Sequence, residues 1–254
     1  MEQNEAKTDS VKMDKYNKTQ LTPQKEFERH IYHRDQFAHY FRWSHVHKIA
    51  KIGQSILDMG CGTGEMYELF YRNRYSPEYL GLDIRENAIR EANRKFLLTD
   101  ARFKVQDLCK PFDLGKKYEI ITSFEVIEHI GHSNIDVYLS NIVTHADKNT
   151  LILISTPNYD PSVGVAANHM LNNGTEIGEW EHKALQSKLE EYFVIKKKYG
   201  TFASISDYKH LLKGWQLEMF NALNEYYDVN LLACLMAPFF PEQSRNTLWE
   251  LKIK

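Results

Sequence analysis

The 254-residue chain is expected to be an α/β protein built on a doubly wound, mostly parallel sheet. Five strand-like runs alternate with helical patterns, an order that favours right-handed crossovers and helices on both faces of a parallel sheet. The first run, Ile56-Leu57-Asp58-Met59, ends on an acid and passes straight into Gly60-Cys61-Gly62-Thr63-Gly64, with a glycine at every second place. The length suits one domain of ordinary α/β size with a small appended element.

Taken in order, residues 1–22 hold few apolar side chains and many Lys, Asp, Asn and Gln, and are expected to be a disordered or loosely attached tail. Residues 23–254 form a single expected domain. Thr22-Pro23-Gln24-Lys25-Glu26 reads as a helix start, with threonine as N-cap and proline at the first helical position. From there to about residue 50 the pattern is helical and aromatic (Phe27, Tyr32, Phe37, Tyr40, Phe41, Trp43), giving one or two cover helices over the start of the sheet. Strands are expected near 55–59, 79–83, 102–105, 118–123 and 150–156. Helices are expected near 64–73, 86–98, 134–145 and 181–191, with a short helical turn around 125–130. Residues 192–198 read as a sixth strand whose lysines place it near an edge. Thr247 to Lys254 alternates as a last strand. The intervening 200–245 is too long for a hairpin and looks helical over Tyr208–Tyr226 and Leu231–Met236. It reads as a packing ornament, or as a substrate lid or dimer contact.

Composition narrows the function. The formal charge of −2 provides no global basic field for nucleic acid, although a local patch acts through its own distribution. Cys61, Cys109 and Cys234 lack C-x-x-C spacing, which argues against a disulfide framework or a zinc site and suits a reducing compartment. The N-terminus has no apolar signal-peptide core, and no apolar run reaches membrane-spanning length. The expectation is a cytoplasmic protein without a membrane partner.

The glycine loop decides the ligand. A dinucleotide fingerprint is G-x-G-x-x-G, with backbone N–H groups facing a pyrophosphate. Here the spacing is G-x-G-x-G, Glu65 stands where the third glycine would be, and Asp58 precedes the loop. Two carboxylates repel a pyrophosphate and suit a cation. There is no G-x-x-x-x-G-K-[ST] either. S-adenosylmethionine (SAM), with a sulfonium, an α-amino group and no phosphate, fits these acids.

The run Asp58-Met59-Gly60-Cys61-Gly62-Thr63-Gly64 resembles motif I of the class I, Rossmann-like SAM-dependent methyltransferases. Tyr79-Leu80-Gly81-Leu82-Asp83, Phe103 to Leu108, Tyr118 to Glu125 and Leu151 to Asn158 resemble that family's later strand-end motifs in the same order. The resemblance covers about residues 50–200 and, less completely, the final strand. It implies a seven-stranded sheet with an antiparallel last strand. It also implies that Asp58, Gly60, Gly62 and Gly64, with Cys61, cradle the methionine part of SAM or of its product S-adenosylhomocysteine. Asp83 with Ile84 would hold the ribose hydroxyls, Asp107 and Leu108 would border adenine, and Phe124 and Glu125 would lie beside the ligand.

Methyl transfer from a sulfonium is an in-line displacement, so the enzyme's main task is to position the acceptor; a base is needed only for a protonated one. After strand four, Glu125, Glu128 and His129 share a face at i, i+3, i+4 if they lie on one helical turn. His129 is then the candidate base, with Glu125 beside it. The same three residues are the expected ligands of a divalent metal in the less favoured reading, because E-V-I-E-H resembles small-RNA 3′-end 2′-O-methyltransferases and ubiquinone-type O-methyltransferases. A further histidine would come from His169 or His182, and Gly178-Glu179-Trp180-Glu181-His182 resembles the place where this branch brings a polar residue to the acceptor. The basic and aromatic residues of 29–48 suit an anionic or nucleobase substrate, or a cover helix with solvated basic residues, which is preferred; the resemblance implies that Tyr32 or Arg34 reaches the cofactor there. The expected activity is SAM-dependent methyl transfer to an O or N acceptor on a small molecule, sugar or nucleotide. Its rivals are a Mg-dependent RNA or nucleotide 2′-O-methyltransferase and a non-catalytic SAM-binding scaffold. [DNS]-P-P-[YFW] is absent and Cys109 lacks a Pro-Cys context, which disfavours DNA amine and cytosine C5 methylation.

Overall fold

The computed structural model describes residues 34–74, 77–159, 178–203 and 208–254. A helix, α1 (Arg34–Ile49), leads to β1 (Ser55–Met59), α2 (Glu65–Arg72), β2 (Glu78–Asp83), α3 (Glu86–Lys95), β3 (Arg102–Val105) and β4 (Ile120–Phe124). There follow α4 (Ile127–Ile130), α5 (Ile135–Thr144), β5 (Leu151–Tyr159), β6 (Trp180–Glu181), α6 (His182–Tyr192) and β7 (Phe193–Phe202). The chain ends with α7 (Trp215–Asn224), α8 (Val229–Met236) and β8 (Asn246–Ile253).

The sheet runs β3-β2-β1-β4-β5-β8-β7, with β6 paired to the end of β5. The expected α/β sheet is therefore present: β1 to β5 are mutually parallel, and β8 enters antiparallel between β5 and β7. The lysine-rich β7 lies at the edge, as its composition indicated. Two-residue β6 was not anticipated, and β5 extends to Tyr159 because β6 and β8 both pair with its far end.

Successive strand residues feed opposite faces, as the pleat requires. Leu57, Met59, Ile121, Ile152, Ile154 and Trp249 pack under α4, α5 and α6. Ile56, Tyr79, Phe103, Ile120, Leu153 and Leu248 pack with Val46, Met66, Phe70 and Ile89 of α1, α2 and α3. On α1 the buried positions are Ala38, Arg42 and Val46, four residues apart, so an arginine sits in the middle of the inward stripe.

The 208–226 stretch is not one helix. A 3-10 turn at Lys209–Leu211 stops, Gly214 takes φ 53° and ψ −132°, and α7 begins only at Trp215. With α8 it encloses a third small core of Ala203, Tyr208, Leu212, Phe220, Leu232, Met236, Ala237 and Phe240. This unit rests on β7 and α1. The contact with β7 is close: a methyl group on Gly200 would stand 2.2 Å from the carbonyl oxygen of Ala237. Among the described residues no helix is long and apolar enough to cross a membrane.

Gly200→Ala should force β7 and the helical unit apart at a cost of about 1–3 kcal/mol, lowering the thermal unfolding midpoint by several degrees.

Candidate functional site

Chain order reverses between β1 and β4, the place where open α/β sheets leave a crevice beyond the carboxyl ends of their strands. The glycine loop fills its floor. Gly60 and Cys61 donate their N–H groups to the Leu82 carbonyl at 2.7 and 2.9 Å, stitching the loop to β2. Gly60 has φ 90°, and a methyl group there would lie 2.2 Å from Val126 Cγ2, so both backbone and space demand glycine. Gly64 caps α2 from a left-handed conformation, with Phe96 and Phe103 against its α-carbon. Glu65 folds back over the loop and accepts from Thr63 N–H and Oγ1 at 3.1 and 2.6 Å.

Two cavities meet at this floor and share Gly60, Arg85 and Glu125. One, of about 410 Å³, is lined by Asp58, Gly60, Cys61, Gly62, Phe124 and Glu125, with Glu65, Met66 and Arg85, and is walled by His39 and Trp43 of α1. Those two rings stack with centroids 5.3 Å apart. The other, of about 380 Å³, is lined by Asp83, Ile84, Asp107, Leu108 and His129, with Cys109, Val126 and Ile130. Most sequence-predicted residues thus converge; Gly64 and Glu128 line neither cavity. Asn141 fixes the far wall by donating to the Leu108 and Lys110 carbonyls, each at 3.0 Å.

The acids differ in state. Asp58 is buried and accepts from the Tyr79 hydroxyl and from Thr122 Oγ1 at 2.9 Å. Burial nevertheless pushes its carboxyl up to about 6, with Glu65 and Asp83 adding repulsion. Burial also acts on Asp83, but there the Arg85 guanidinium and the N–H groups of Arg85 and Gly62 outweigh it and hold the carboxyl below the usual range. Asp107 is held low by the Cys109 N–H and by Lys110. Burial raises the Cys61 thiol and leaves it an inert wall.

Glu125 does not share a helical face with Glu128 and His129. It occupies the corner between β4 and α4 at φ 58°, a costly backbone for a non-glycine residue that persists only where surroundings enforce it. Here they do: its carboxylate accepts from Ser155 Oγ at 2.8 Å and Asn246 Nδ2 at 2.7 Å, and pairs with Arg42 at 3.4 Å. Glu128, 1% exposed, turns inward to accept from Thr156 Oγ1 at 2.8 Å, and burial together with Glu125 holds it protonated well above the ordinary range. His129 is exposed and faces the second cavity. Glu125 and His129 border the second cavity while Glu128 is buried beside them, and among the described residues no three His, Cys, Asp or Glu side chains are grouped to hold a metal ion, these three candidate ligands of the less favoured metal reading included.

Arg42 is a further correction, since a solvated basic face was expected on α1. It is 1% exposed and donates to Thr201 Oγ1, Asn246 Oδ1 and His39 Nδ1 at 3.3, 3.2 and 2.9 Å. Its place on the buried stripe of α1 was the available signal. His182 likewise lies elsewhere, at the start of α6 against Trp249 and 3.4 Å from Glu242. His169, Tyr32 and the helix start at Thr22 lie outside the described residues, and Arg34 enters only as the first residue of α1.

The crevice at the strand-order reversal, the acid-led glycine loop and the antiparallel strand beside β5 together define a Rossmann-like methyltransferase domain. A family model described as a methyltransferase domain matches residues 30–222, and the chain belongs to that family, within the class I SAM-dependent methyltransferases. It is 29% identical over 107 residues to (S)-tetrahydroprotoberberine N-methyltransferase of Eschscholzia californica, covering 41% of this chain and 30% of that protein. It is 28% identical over 122 residues to ubiquinone biosynthesis O-methyltransferase of Rickettsia akari, covering 48% of this chain and 44% of that protein. The chain therefore matches less than half the length of these curated relatives. Its fold is similar to that of a TehB-like SAM-dependent methyltransferase from Corynebacterium glutamicum, with a TM-score of 0.55 and 17% identity over 87% of this chain and 98% of that one.

Asp58 gives a pH prediction with a definite sign. Its folded pKa, raised from 3.8 to about 6, means that the folded chain holds this proton more tightly than the unfolded one. The associated stability, on the order of 3 kcal/mol, is present at low pH and lost as pH rises through about 6. Cation binding should run oppositely, because an ionised carboxylate attracts a cation and a protonated one does not. SAM affinity measured by calorimetry should rise between about pH 5 and 7, and Asp58→Asn should flatten that rise.

Proposed function

We propose that this domain moves a methyl group from SAM to an oxygen or nitrogen acceptor on a small molecule, with sugars and nucleotides in the same class. The observation that carries the proposal is the meeting of two cavities over Gly60: one carries the acids suited to a cation, the other a pair of strand-end acids suited to a nucleoside. In this reading the methionine half lies with Asp58, Gly60, Cys61, Gly62, Phe124 and Glu125. The ribose lies on Asp83 beside Ile84, and adenine lies against Asp107 and Leu108. The acceptor enters past the His39–Trp43 wall, the side of the first cavity that the donor does not need.

This placement changes the part assigned to His129. It borders the adenosine half, so it contacts the donor rather than taking a proton from the acceptor. His39 is no base either: arginine cannot accept, so the 2.9 Å contact with Arg42 makes Nδ1 the acceptor and leaves the hydrogen of the neutral ring on Nε2. Glu125 has both oxygens engaged. The chain's contribution is therefore to hold an acceptor in line with the sulfonium, which favours one that arrives deprotonated. The N- and O-methyltransferase names of the curated relatives accord with this class. Glu125 is engaged by Ser155, Asn246 and Arg42, Glu128 is buried against Thr156, and the two are not grouped with His129, which weighs against the Mg-dependent RNA reading.

Transfer of labelled methyl from SAM to small-molecule and RNA fractions of cell extract tests the proposal. Label is expected in the small-molecule fraction and should be unaffected by a chelator. Chelator-sensitive label in RNA would establish the metal-dependent reading, and SAM binding without label in any fraction would establish the scaffold. His129→Ala should raise KM for SAM several-fold and leave kcat and its pH dependence unchanged; a loss confined to kcat would restore His129 as the base.

A further inference from the structure

In the proposed reading the ribose hydroxyls meet the carboxylate of Asp83. We infer that Arg85 is an affinity-determining residue of that subsite: its guanidinium stands where the ribose diol belongs and leaves when the donor binds. The inference rests on the methyl-donor reading. A carboxylate offers about four lone-pair directions. At Asp83 two of them are filled by backbone, the Gly62 N–H on Oδ2 and the Arg85 N–H on Oδ1, each at 2.9 Å. These bonds shape the loop and cannot be given up without remodelling it. The other two are filled by the Arg85 side chain, Nε on Oδ1 at 3.1 Å and Nη2 on Oδ2 at 3.3 Å. Neighbouring guanidinium N–H groups and the two O–H groups of a cis diol are both paired donors, so they compete for the same edge of the carboxylate.

The guanidinium is free to move where the backbone is not. Its side chain is 62% exposed and lines both cavities at their junction. A destination lies close by. A methyl group on Gly62 would meet Glu65 Oε2 at 2.8 Å and Arg85 Nη2 at 3.5 Å, so the two side chains flank one glycine. Glu65 is exposed and already anchored to Thr63, ready to receive a second donor. Rotation of the outer torsions of Arg85 exchanges Asp83 for Glu65 and keeps the cation paired. Without donor, Arg85 keeps Asp83 ionised and its edge filled; with donor, Arg85 closes over Gly62 from the Glu65 side.

Calorimetric titration of the full chain with S-adenosylhomocysteine, and with its analogue lacking both ribose hydroxyls, tests this. Arg85→Gln removes the competitor, so it should bind S-adenosylhomocysteine about two- to five-fold tighter, the range of one exposed ion pair. It should bind the dideoxy analogue no differently from wild type. Glu65→Gln removes the destination and should weaken S-adenosylhomocysteine binding, and that loss should vanish when Arg85→Gln is also present. Equal or weaker binding by Arg85→Gln overturns the inference, as does an equal gain for the dideoxy analogue. A Glu65→Gln loss that persists in the double variant removes Glu65 as the destination. Wild-type chain that binds no S-adenosylhomocysteine overturns the donor reading itself, a result distinct from all of these.

Discussion

The ion pair between Arg42 and Glu125 is the contact through which the parts of this structure meet. Arg42 comes from the cover helix, Glu125 from the corner after β4, their shared partner Asn246 from β8, and Arg42's further partner Thr201 from β7. A buried guanidinium without a carboxylate would be costly, and removing one member of such a pair leaves the other stranded. Each member therefore holds the other in place. Glu125 retains a left-handed backbone because three donors claim its carboxylate, and α1 stays on the sheet with His39 and Trp43 turned to the crevice because its arginine is captured there.

The same arrangement separates the site's acids by task. Glu125 is engaged with structure. Glu128 lies inside the fold and stays neutral, because two adjacent carboxylates under α4 do not ionise together when one of them is sealed from water. Asp58 lies beneath the loop with two hydroxyl donors and a carboxyl that titrates near neutrality. Asp83 and Asp107 face the open second cavity and are held ionised by backbone N–H groups and basic neighbours. In the proposed reading an uncharged adenosyl group lies beside the latter two and a cationic sulfonium over the former, so that the division between the cavities follows the division of charge along the ligand.

The helical unit before β8 contributes to this only at second hand. Its own core lies around Tyr208 and Phe240, whose rings stack 5.1 Å apart, and none of its described residues lines either cavity. It packs on α1 and β7. Its bearing on the crevice is therefore through the placement of the cover helix.

The sheet, the glycine loop and the acids Asp58, Asp83 and Asp107 at or near strand ends were legible in the residues alone. Each of these follows from a local rule: an apolar run makes a buried strand, a tight bend selects glycine, and an acid at a strand end faces the crevice. The remainder came from contacts made only once the chain is folded. Glu125, Glu128 and His129 looked like one helical face, yet Glu125 lies before the helix in a left-handed corner, and that corner is held by Asn246, 121 positions away. Arg42 looked solvated until Thr201 and Asn246 supplied its partners from strands at the other end of the chain. Arg85, two residues past Asp83, carries no signal of its own in the sequence, and only the fold sets it beside Gly62 and Glu65 across the loop. In each case the deciding contact joins residues far apart in the chain, and spacing along a sequence carries no record of which distant groups will meet.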